Sequence, residues 1–233
     1  MSKTTKQETL PATREQTFTI TPAEMQAVAL FASKSPDARH LYGVHLTENT
    51  IIASDGLRYI SIAYLHQESE TDEGERIVTD HRPQGFFQPV TLPMDFVWLF
   101  IEASSIAGNL TLPVKVRVYE KSIDGELPMK LCMVSALGIE RECIGGEIPS
   151  FNDIVPAGDP TCTPSNMVDA RHYLDGVKAR NLIVNGKPLG QKDRAALQLK
   201  EWGRFDKKLF RASPLCYINA DERLEVVFQP VLF

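Results

Sequence analysis

Residues 51–62 read Ile51-Ile52-Ala53-Ser54-Asp55-Gly56-Leu57-Arg58-Tyr59-Ile60-Ser61-Ile62, which are two apolar runs on either side of a turn. An Asp-Gly pair between runs of β-branched residues is a strong signal for a tight hairpin turn, so strands are predicted at 50–54 and 57–65. A strand at 17–20, a helix and a strand at 41–46 precede this hairpin in the chain. The first unit is therefore predicted to be one strand, one helix and three strands.

The helix of this unit has a well-marked beginning. Thr21-Pro22-Ala23-Glu24 combines a capping Thr, a Pro at the first helical position and a Glu placed to reach back to the cap. The apolar residues that follow share one helical face, at Met25, Val28, Ala29 and Ala32. We expect the helix to end before Ser35-Pro36.

The same order of patterns recurs twice along the chain. The second unit is predicted to have a strand at 87–92, a helix from Pro93, and strands at 114–119, 129–136 and 138–143. The third is predicted to have a strand at 165–168, a helix capped by Asp169, and strands at 181–185, 214–219 and 224–229, with a further helix at 195–202. Repeated units of this kind predict an α+β fold, with helices on one face of antiparallel sheets.

Composition places the chain among ordinary globular proteins. It has 233 residues, of which 43% are hydrophobic and 24% are charged, which is enough for one or two cores. Residues 1–16 are polar and lack periodicity, so we expect a flexible arm there. No apolar run approaches the length of a membrane span or resembles a signal peptide, and we therefore expect a soluble, cytoplasmic protein.

Residues that could carry catalysis lack the partners that they would need. The four cysteines have no C-x-x-C spacing, and the five histidines are scattered, so neither a disulfide frame nor a metal site is expected. Asp80-His81 and Ser54-Asp55 have no third member of a nucleophile and base set, and Gly186-Lys187-Pro188 is not a phosphate loop. We expect no enzyme activity, no catalytic residues, no metal and no cofactor.

Charge is unevenly distributed along the chain. The net charge of −5 argues against a nucleic-acid binder that works by bulk positive charge. An acidic stretch contains Glu68, Glu70, Asp72, Glu73 and Glu75, whereas residues 187–211 are rich in Lys and Arg. Each stretch is either a solvated loop or a binding surface, and the solvated loop is favoured for the acidic one.

Four sequence motifs resemble one family in the same order. Arg39-His40-Leu41-Tyr42-Gly43-Val44, followed by Ala53-Ser54-Asp55-Gly56-Leu57-Arg58-Tyr59, is similar to the middle domain of the bacterial DNA polymerase III sliding clamp, the β subunit. Residues 145–156 resemble the linker that closes that domain. Residues 168–177 resemble the last helix of the third domain, and residues 227–233 resemble the C-terminal tail of the family.

The resemblance implies a shortened clamp. It implies a DNA-clamp-like fold with a two-unit domain at 17–156 and a half domain at 157–233 that carries a basic insertion. A protein of this family is a processivity factor for DNA replication. It encircles double-stranded DNA as a homo-oligomeric ring, docks short peptides of polymerases or other replication proteins, and is opened by a clamp loader.

The resemblance also implies site residues. The positions of the family's peptide-binding pocket fall on Leu41, Ser54, Gly56, Leu57, Arg58, Tyr59, Pro149, Ile154, Val227, Pro230 and Val231. Leu57, Phe151 and Gln229 replace the His, Tyr and Met that are usual there, so the preferred partner is expected to differ. The alternative interpretation is that these residues pack the two parts of the chain together.

DNA contact is implied at a second set of residues, which comprises Arg39, His40, Arg171, Lys178 and Arg180. The second predicted helix has no basic residue and carries Asp95 and Glu102, whereas a closed ring needs a positive lining. The alternative is therefore an interaction module of a phage or mobile element that keeps the clamp fold without encircling DNA.

Overall fold

The computed structural model describes residues 14–33, 35, 41–70, 76–107, 111–121, 129–146, 148–164, 166–190, 196–202, 214–219 and 223–230. These residues form a mixed α+β protein in which helices lie against a large antiparallel sheet. The predicted fold class is confirmed at this level. Arg39, His40 and Val231 of the implied sites lie outside the described residues.

The elements follow one another in the order that the sequence patterns predict for the first two units. The first comprises β1 (Arg14–Ile20), α1 (Pro22–Ala29), β2 (Val44–Leu46), β3 (Thr50–Ser54) and β4 (Arg58–Ala63). Three short strands follow, β5 (His66–Glu70), β6 (Arg76–Asp80) and β7 (Gln84–Gly85). The second unit comprises β8 (Val90–Leu92), α2 (Met94–Ala107), β9 (Leu112–Lys121), β10 (Met129–Ala136) and β11 (Ile139–Gly145).

The last part of the chain contains α3 (Ala170–Asn185), β12 (Lys200–Glu201), β13 (Leu215–Ile218) and β14 (Leu224–Phe228). Twelve strands form one sheet in the order β12-β13-β14-β4-β3-β2-β8-β11-β10-β9-β1-β7. The strands β5 and β6 form a separate two-stranded ribbon. The acidic residues Glu68 and Glu70 lie on this ribbon and are exposed.

The first two units exchange their opening strands. β1 pairs with β9 of the second unit, from Arg14↔Val118 to Ile20↔Leu112, and β8 pairs with β2 of the first unit, from Val44↔Leu92 to Leu46↔Val90. Each opening strand thus pairs with a strand of the other unit within the twelve-stranded sheet. The two units are consequently one folded body, because the sheet is continuous only when both are present.

The local signals of α1 explain why it forms where it does. The Thr21 amide donates to Glu24 Oε2 at 2.7 Å, and the Glu24 amide donates to Thr21 Oγ1 at 3.1 Å. This reciprocal capping box confirms the predicted helix start. The strand β1 enters the same core by alternation, with Phe18 and Ile20 fully buried.

The main core lies between the helices and one face of the sheet. Its largest fully buried side chains include Phe18, Phe31, Phe96, Phe100 and Phe228. α1 packs against both α2 and α3, and α3 also packs against β14. The final part of the chain is therefore fastened to the first unit through both a helix pair and a strand pair.

Gly176 permits the close contact between α3 and β14. A Cβ atom at this position would lie 2.6 Å from Phe228 Cζ and 2.9 Å from Leu197 Cδ1. Phe228 is fully buried and Leu197 is 7% exposed, so neither side chain has free space to move into. Only glycine allows the helix to approach the sheet this closely.

Three predictions for the third unit are wrong. Residues 181–185 continue α3 rather than forming a strand, because Asn181 and Leu182 face the core and Gly186 ends the helix in the left-handed conformation, with φ 65°. Residues 166–168 do not form a strand. Residues 196–202 contain no helix, because Lys200 and Glu201 pair with β13.

Several predicted boundaries also shift. β1 begins at Arg14, so it includes the last residues of the predicted arm. β2 begins at Val44 rather than at Leu41, and β8 begins at Val90 rather than at Phe87. Among the residues that the structure describes, no helix combines the length and the apolar character that crossing a bilayer requires.

We expect Gly176→Ala to destabilise the protein by about 1–3 kcal/mol, although alanine is the better helix former by about 1 kcal/mol. The reason is that the new methyl group would overlap the Phe228 ring, which cannot yield in a filled core. Urea unfolding at neutral pH measures the effect. Val184→Ala, at a half-exposed position of the same helix, should change the free energy of unfolding by less than about 0.5 kcal/mol. Equal stabilities of Gly176→Ala and the wild type would contradict the packing argument.

Candidate functional site

The hairpin between β3 and β4 is held by its own polar side chains. The Asp55 carboxylate accepts hydrogen bonds from the amides of Leu57 and Arg58, at 3.0 and 2.8 Å. The Ser54 hydroxyl donates to the Arg58 carbonyl at 2.6 Å and accepts from the Gly56 amide at 3.1 Å. Gly56 has a φ of 88°, a conformation that glycine adopts without strain. These bonds leave Leu57 at the tip of the turn with 56% of its side chain exposed.

The chain returns to this hairpin at β14. Val227 is opposite Tyr59 and Phe228 is opposite Arg58, and the Gln229 amide then donates to the Leu57 carbonyl at 2.8 Å. The turn is thus bonded to a segment about 170 residues later in the sequence. The hairpin and the described part of the tail are neighbours.

The linker between the second and third units also contacts the hairpin and the tail. Gln229 Nε2 donates to the Ile154 carbonyl at 3.1 Å. Ile154 packs on the sheet face opposite the helices, where it forms an outer cluster with Ile52, Tyr59, Trp202, Cys216 and Val227. Ile148, Phe151 and Val155 of the linker cover this outer cluster. Trp202 fixes one side of it, because its indole Nε1 donates to the Gly158 carbonyl at 2.7 Å.

The implied peptide-binding residues divide into two groups. Tyr59, Ile154 and Val227 are 8%, 5% and 0% exposed, so they pack the hairpin, linker and tail together. The accessible residues are Leu57, which is exposed, and Leu41, Gly56, Pro149 and Pro230, which are half-buried. Leu41 lies beside the turn, since a Cβ atom at Gly56 would be 3.4 Å from Leu41 Cδ1.

Arg58 lies on the other face of the sheet. Its Nη2 and Nε donate to Asp55 Oδ2 at 2.7 and 2.9 Å, and its Nη1 donates to Asp175 Oδ2 of α3 at 2.6 Å. The guanidinium carbon is 5.2 Å from the centroid of the Phe31 ring, and the residue is 7% exposed. Arg58 therefore points toward the helices, away from the outer cluster.

The residues implied to contact DNA are partly engaged within the protein. Arg171 is exposed in the first turn of α3, whereas Lys178 Nζ lies 3.0 Å from Asp175 Oδ1. Arg180 Nε donates to the Tyr217 hydroxyl at 2.9 Å. The exposed side chains of α2 include Asp95, Trp98 and Glu102. The two carboxylates are negative, and Asp95 Oδ2 accepts a hydrogen bond from Arg141 Nε at 3.0 Å.

The helix layer also has surface depressions, which the sequence patterns did not indicate. Three adjoining cavities are lined by residues of α1 and α3 and the segment after α3, among them Ala23, Gln26, Leu182, Gly186 and Pro188. They lie on the helix side of the sheet, so they are separate from the junction of hairpin, linker and tail. Their walls are mostly apolar, and they also include residues of α2 and the charged Glu24, Lys178 and Arg223.

His45, which the sequence patterns did not single out, is a buried titratable residue next to the linker. Its Nδ1 lies 2.8 Å from Thr91 Oγ1, and its ring centroid is 5.6 Å from that of Phe151. The Phe151 ring in turn lies 5.3 Å from Tyr59. His45 is fully buried, and burial lowers its pKa to about 4.

Comparison with known protein families and with curated proteins finds no match for this chain. Within the described ranges, no group of three or more His, Cys, Asp or Glu side chains is placed to hold a metal ion. The described residues of the junction present exposed and half-buried apolar groups on a backbone that is fixed by hydrogen bonds.

We expect the protein to lose stability in mild acid because of His45. Its pKa in the folded state is below the ordinary value of about 6.5, so the unfolded chain binds more protons between these two values. The contribution of His45 to the free energy of unfolding is therefore fully present above about pH 6.5 and is lost as the pH drops toward about 4. The loss attributable to His45 should be about 2 kcal/mol between about pH 7.5 and about pH 5.

Urea unfolding of the wild type and of His45→Gln over this pH range measures the difference. The variant cannot take up a proton at this position, so its stability should decline less steeply. Parallel curves for the two proteins would show that His45 does not titrate between its folded and unfolded states as expected.

Proposed function

We propose that this chain is a sliding-clamp-like accessory protein of DNA replication that docks short peptides of polymerases or other replication proteins. The observation that carries the proposal is the junction at Gln229, whose backbone amide bonds Leu57 of the hairpin and whose side chain bonds Ile154 of the linker. Hairpin, linker and tail are the three segments in which the sequence resembles the peptide pocket of that family. They are distant in sequence and adjacent in the structure.

A clamp-like fold is consistent with the arrangement of the first two units. Both have the order strand, helix, three strands, and each lends its opening strand to the other's sheet. Their helices pack together on one face, which leaves the opposite face of the sheet for the linker. This pseudo-symmetry supports the proposal that the chain is a clamp domain followed by a half domain.

The accessible surface at the junction suits an apolar peptide. Leu57 projects from the turn with Leu41 beside it, and the half-buried Pro230 follows Gln229 in the tail. Pro149 of the linker is also half-buried. Burial of one or two Leu or Phe anchors there would contribute on the order of 2–4 kcal/mol. When backbone contacts of the peptide are added and ordering costs are counted, we expect binding in the micromolar range and not much tighter.

Encirclement of double-stranded DNA is the second part of the proposal. Arg171 is exposed on α3 and would attract phosphates, and the sequence of residues 187–211, much of which lies outside the described residues, is rich in Lys and Arg. A ring requires several copies, and the two-residue strand β7 at one end of the sheet offers a short edge for pairing between chains. At the other end, β12 is bonded to Cys162, whose amide and carbonyl pair with the backbone of Glu201. A clamp loader would be needed to open such a ring.

One observation favours the alternative of an interaction module that encircles nothing. α2 presents no basic residue, and its exposed Glu102 would repel phosphates, whereas Asp95 is paired with Arg141 at 3.0 Å. The peptide junction does not depend on ring closure, because all its described parts come from one chain. The two candidates therefore share the docking site and differ in assembly.

We expect Leu57→Ala to weaken peptide binding by about tenfold, because the loss of one buried anchor contact is worth about 1–2 kcal/mol. Fluorescence anisotropy with a labelled peptide that carries Leu and Phe anchors measures the dissociation constant. Leu137→Ala is the matched control, since Leu137 is an exposed leucine at another hairpin turn. Similar affinities of Leu57→Ala and Leu137→Ala would remove the hairpin from the site.

Assembly and DNA retention distinguish the ring from the module. A ring predicts a species of at least twice the chain mass of 26.0 kDa by light scattering at micromolar concentration. It also predicts retention on circular duplex DNA, once loaded, and release when the circle is cut. A single-chain mass, together with no binding to duplex DNA at low salt, would rule out the ring and leave the interaction module.

A further inference from the structure

Arg58 connects the two faces of the sheet at the peptide junction. Its backbone belongs to β4, next to the exposed Leu57, and its side chain lies among the helices, where it is 7% exposed. Strand alternation explains the orientation, since Arg58 has the same parity as Ile60 and Ile62 of the main core. A peptide on the outer face therefore meets Leu57 and does not meet the Arg58 guanidinium.

An unbroken series of charge-assisted hydrogen bonds runs from α3 to the turn. Asp175 of α3 accepts from Arg58 Nη1, and Asp55 accepts from Nη2 and Nε of the same guanidinium. Asp55 uses its other carboxylate oxygen to accept from the amides of Leu57 and Arg58. The orientation of the turn that carries Leu57 thus depends on a guanidinium held from both sides.

The same turn of α3 also fixes the tail. Gly176 follows Asp175 and lies against the ring of Phe228, which is opposite Arg58 in the β4 and β14 pairing. Asp175 is held in turn by Lys178, at 3.0 Å. Asp175 and Gly176 of α3 therefore position the hairpin and the tail relative to each other.

We propose that Arg58 and Asp175 are positioning residues for peptide docking, which act from the helix face on the docking surface at the Leu57 turn. The proposal rests on the proposed peptide-docking function and adds residues that touch no peptide. Their ion pair holds the Leu57 turn against the Gln229 amide, so the apolar anchors are presented in one arrangement. Loss of the pair lets the turn move and lowers affinity without removing any group from the docking surface.

The test compares Asp175→Asn, Arg58→Lys and the double variant with the wild type. Asp175→Asn keeps the shape of the side chain and removes its charge, whereas Arg58→Lys keeps the charge and loses the fork that reaches both carboxylates. Peptide affinity is measured by anisotropy with a labelled peptide that carries Leu and Phe anchors and no acidic residue. Amide hydrogen exchange at Leu57, Arg58 and Gln229 reports the turn directly.

We expect Asp175→Asn to weaken the peptide by about three- to tenfold and to speed exchange at the three amides. The double variant should bind no more weakly than Arg58→Lys alone, because the two residues act through one ion pair. Asp175→Glu should restore part of the affinity, since it keeps a carboxylate. Glu140→Gln, which removes one negative charge from an exposed position of β11, should leave both measurements unchanged.

Wild-type affinity and exchange in Asp175→Asn and in Arg58→Lys would overturn the positioning role while leaving the docking function intact. An effect of Arg58→Lys that appears only with a peptide containing acidic residues would also overturn it, because Arg58 would then contact the peptide itself. Failure of the wild type to bind any anchor peptide would overturn the docking function and this proposal together. Thermal unfolding of each variant verifies that the measured proteins are folded.

Discussion

The pairing of β4 with β14 is the interaction on which the described structure depends. Five residue pairs, from Leu224↔Ile62 to Phe228↔Arg58, join segments separated by more than 160 residues. Closing so large a loop has an entropic cost, which the backbone hydrogen bonds and the packing on both faces of the pair must offset. Alternation along β14 then sends Val226 and Phe228 to the main core and Val227 to the outer cluster.

Charged side chains fix the register of this pairing at both of its ends. At one end, Arg223 Nε donates to the Ala63 carbonyl at 3.0 Å and its guanidinium pairs with Glu24, which is 2% exposed in the capping box of α1. At the other end, Arg58 bridges Asp55 and Asp175. A slip by one residue would turn Val227 toward the helices and Phe228 outward, and it would separate both sets of charges.

A buried ion pair adds little net stability, because desolvation offsets most of the Coulomb attraction. Burial indeed lowers the pKa of Arg223, so the charged form is held at a cost. The role of the ion pair between Arg223 and Glu24 is better described as selection of the strand register, since a misregistered pairing would leave both residues buried and unpaired. The two charged ends therefore select one alignment of hairpin and tail among the alternatives that backbone bonding alone would permit.

Local signals in the sequence predicted most of the elements, and non-local ones explain what it did not predict. The capping box of α1 and the Asp-Gly turn depend on residues within a few positions of each other, and both form as expected. The exchange of β1 and β8 between units depends on pairing over long distances, which periodicity cannot reveal. α3 extends over 181–185 because tertiary packing of Asn181 and Leu182 outweighs the β-propensity of the short apolar run Leu182-Ile183-Val184. The position of the Arg58 side chain on the helix face of the sheet could have been predicted, because Arg58 alternates in step with the buried Ile60 and Ile62.

Electrostatics limits what the helix layer can do with DNA. The phosphate affinity of a protein grows with the number of cations that displace counterions, and of the described basic residues on α3 Lys178 is paired with Asp175 and Arg180 bonds Tyr217. Glu102 of α2 subtracts from the attraction of Arg171, and Asp95 is paired with Arg141. Such a surface would bind duplex DNA weakly and with a shallow salt dependence.

Weak contact suits a closed ring, because retention then comes from topology and few phosphate contacts oppose sliding. An open chain with the same surface would dissociate. In the proposed ring, closure rather than charge would therefore keep this helix layer on DNA.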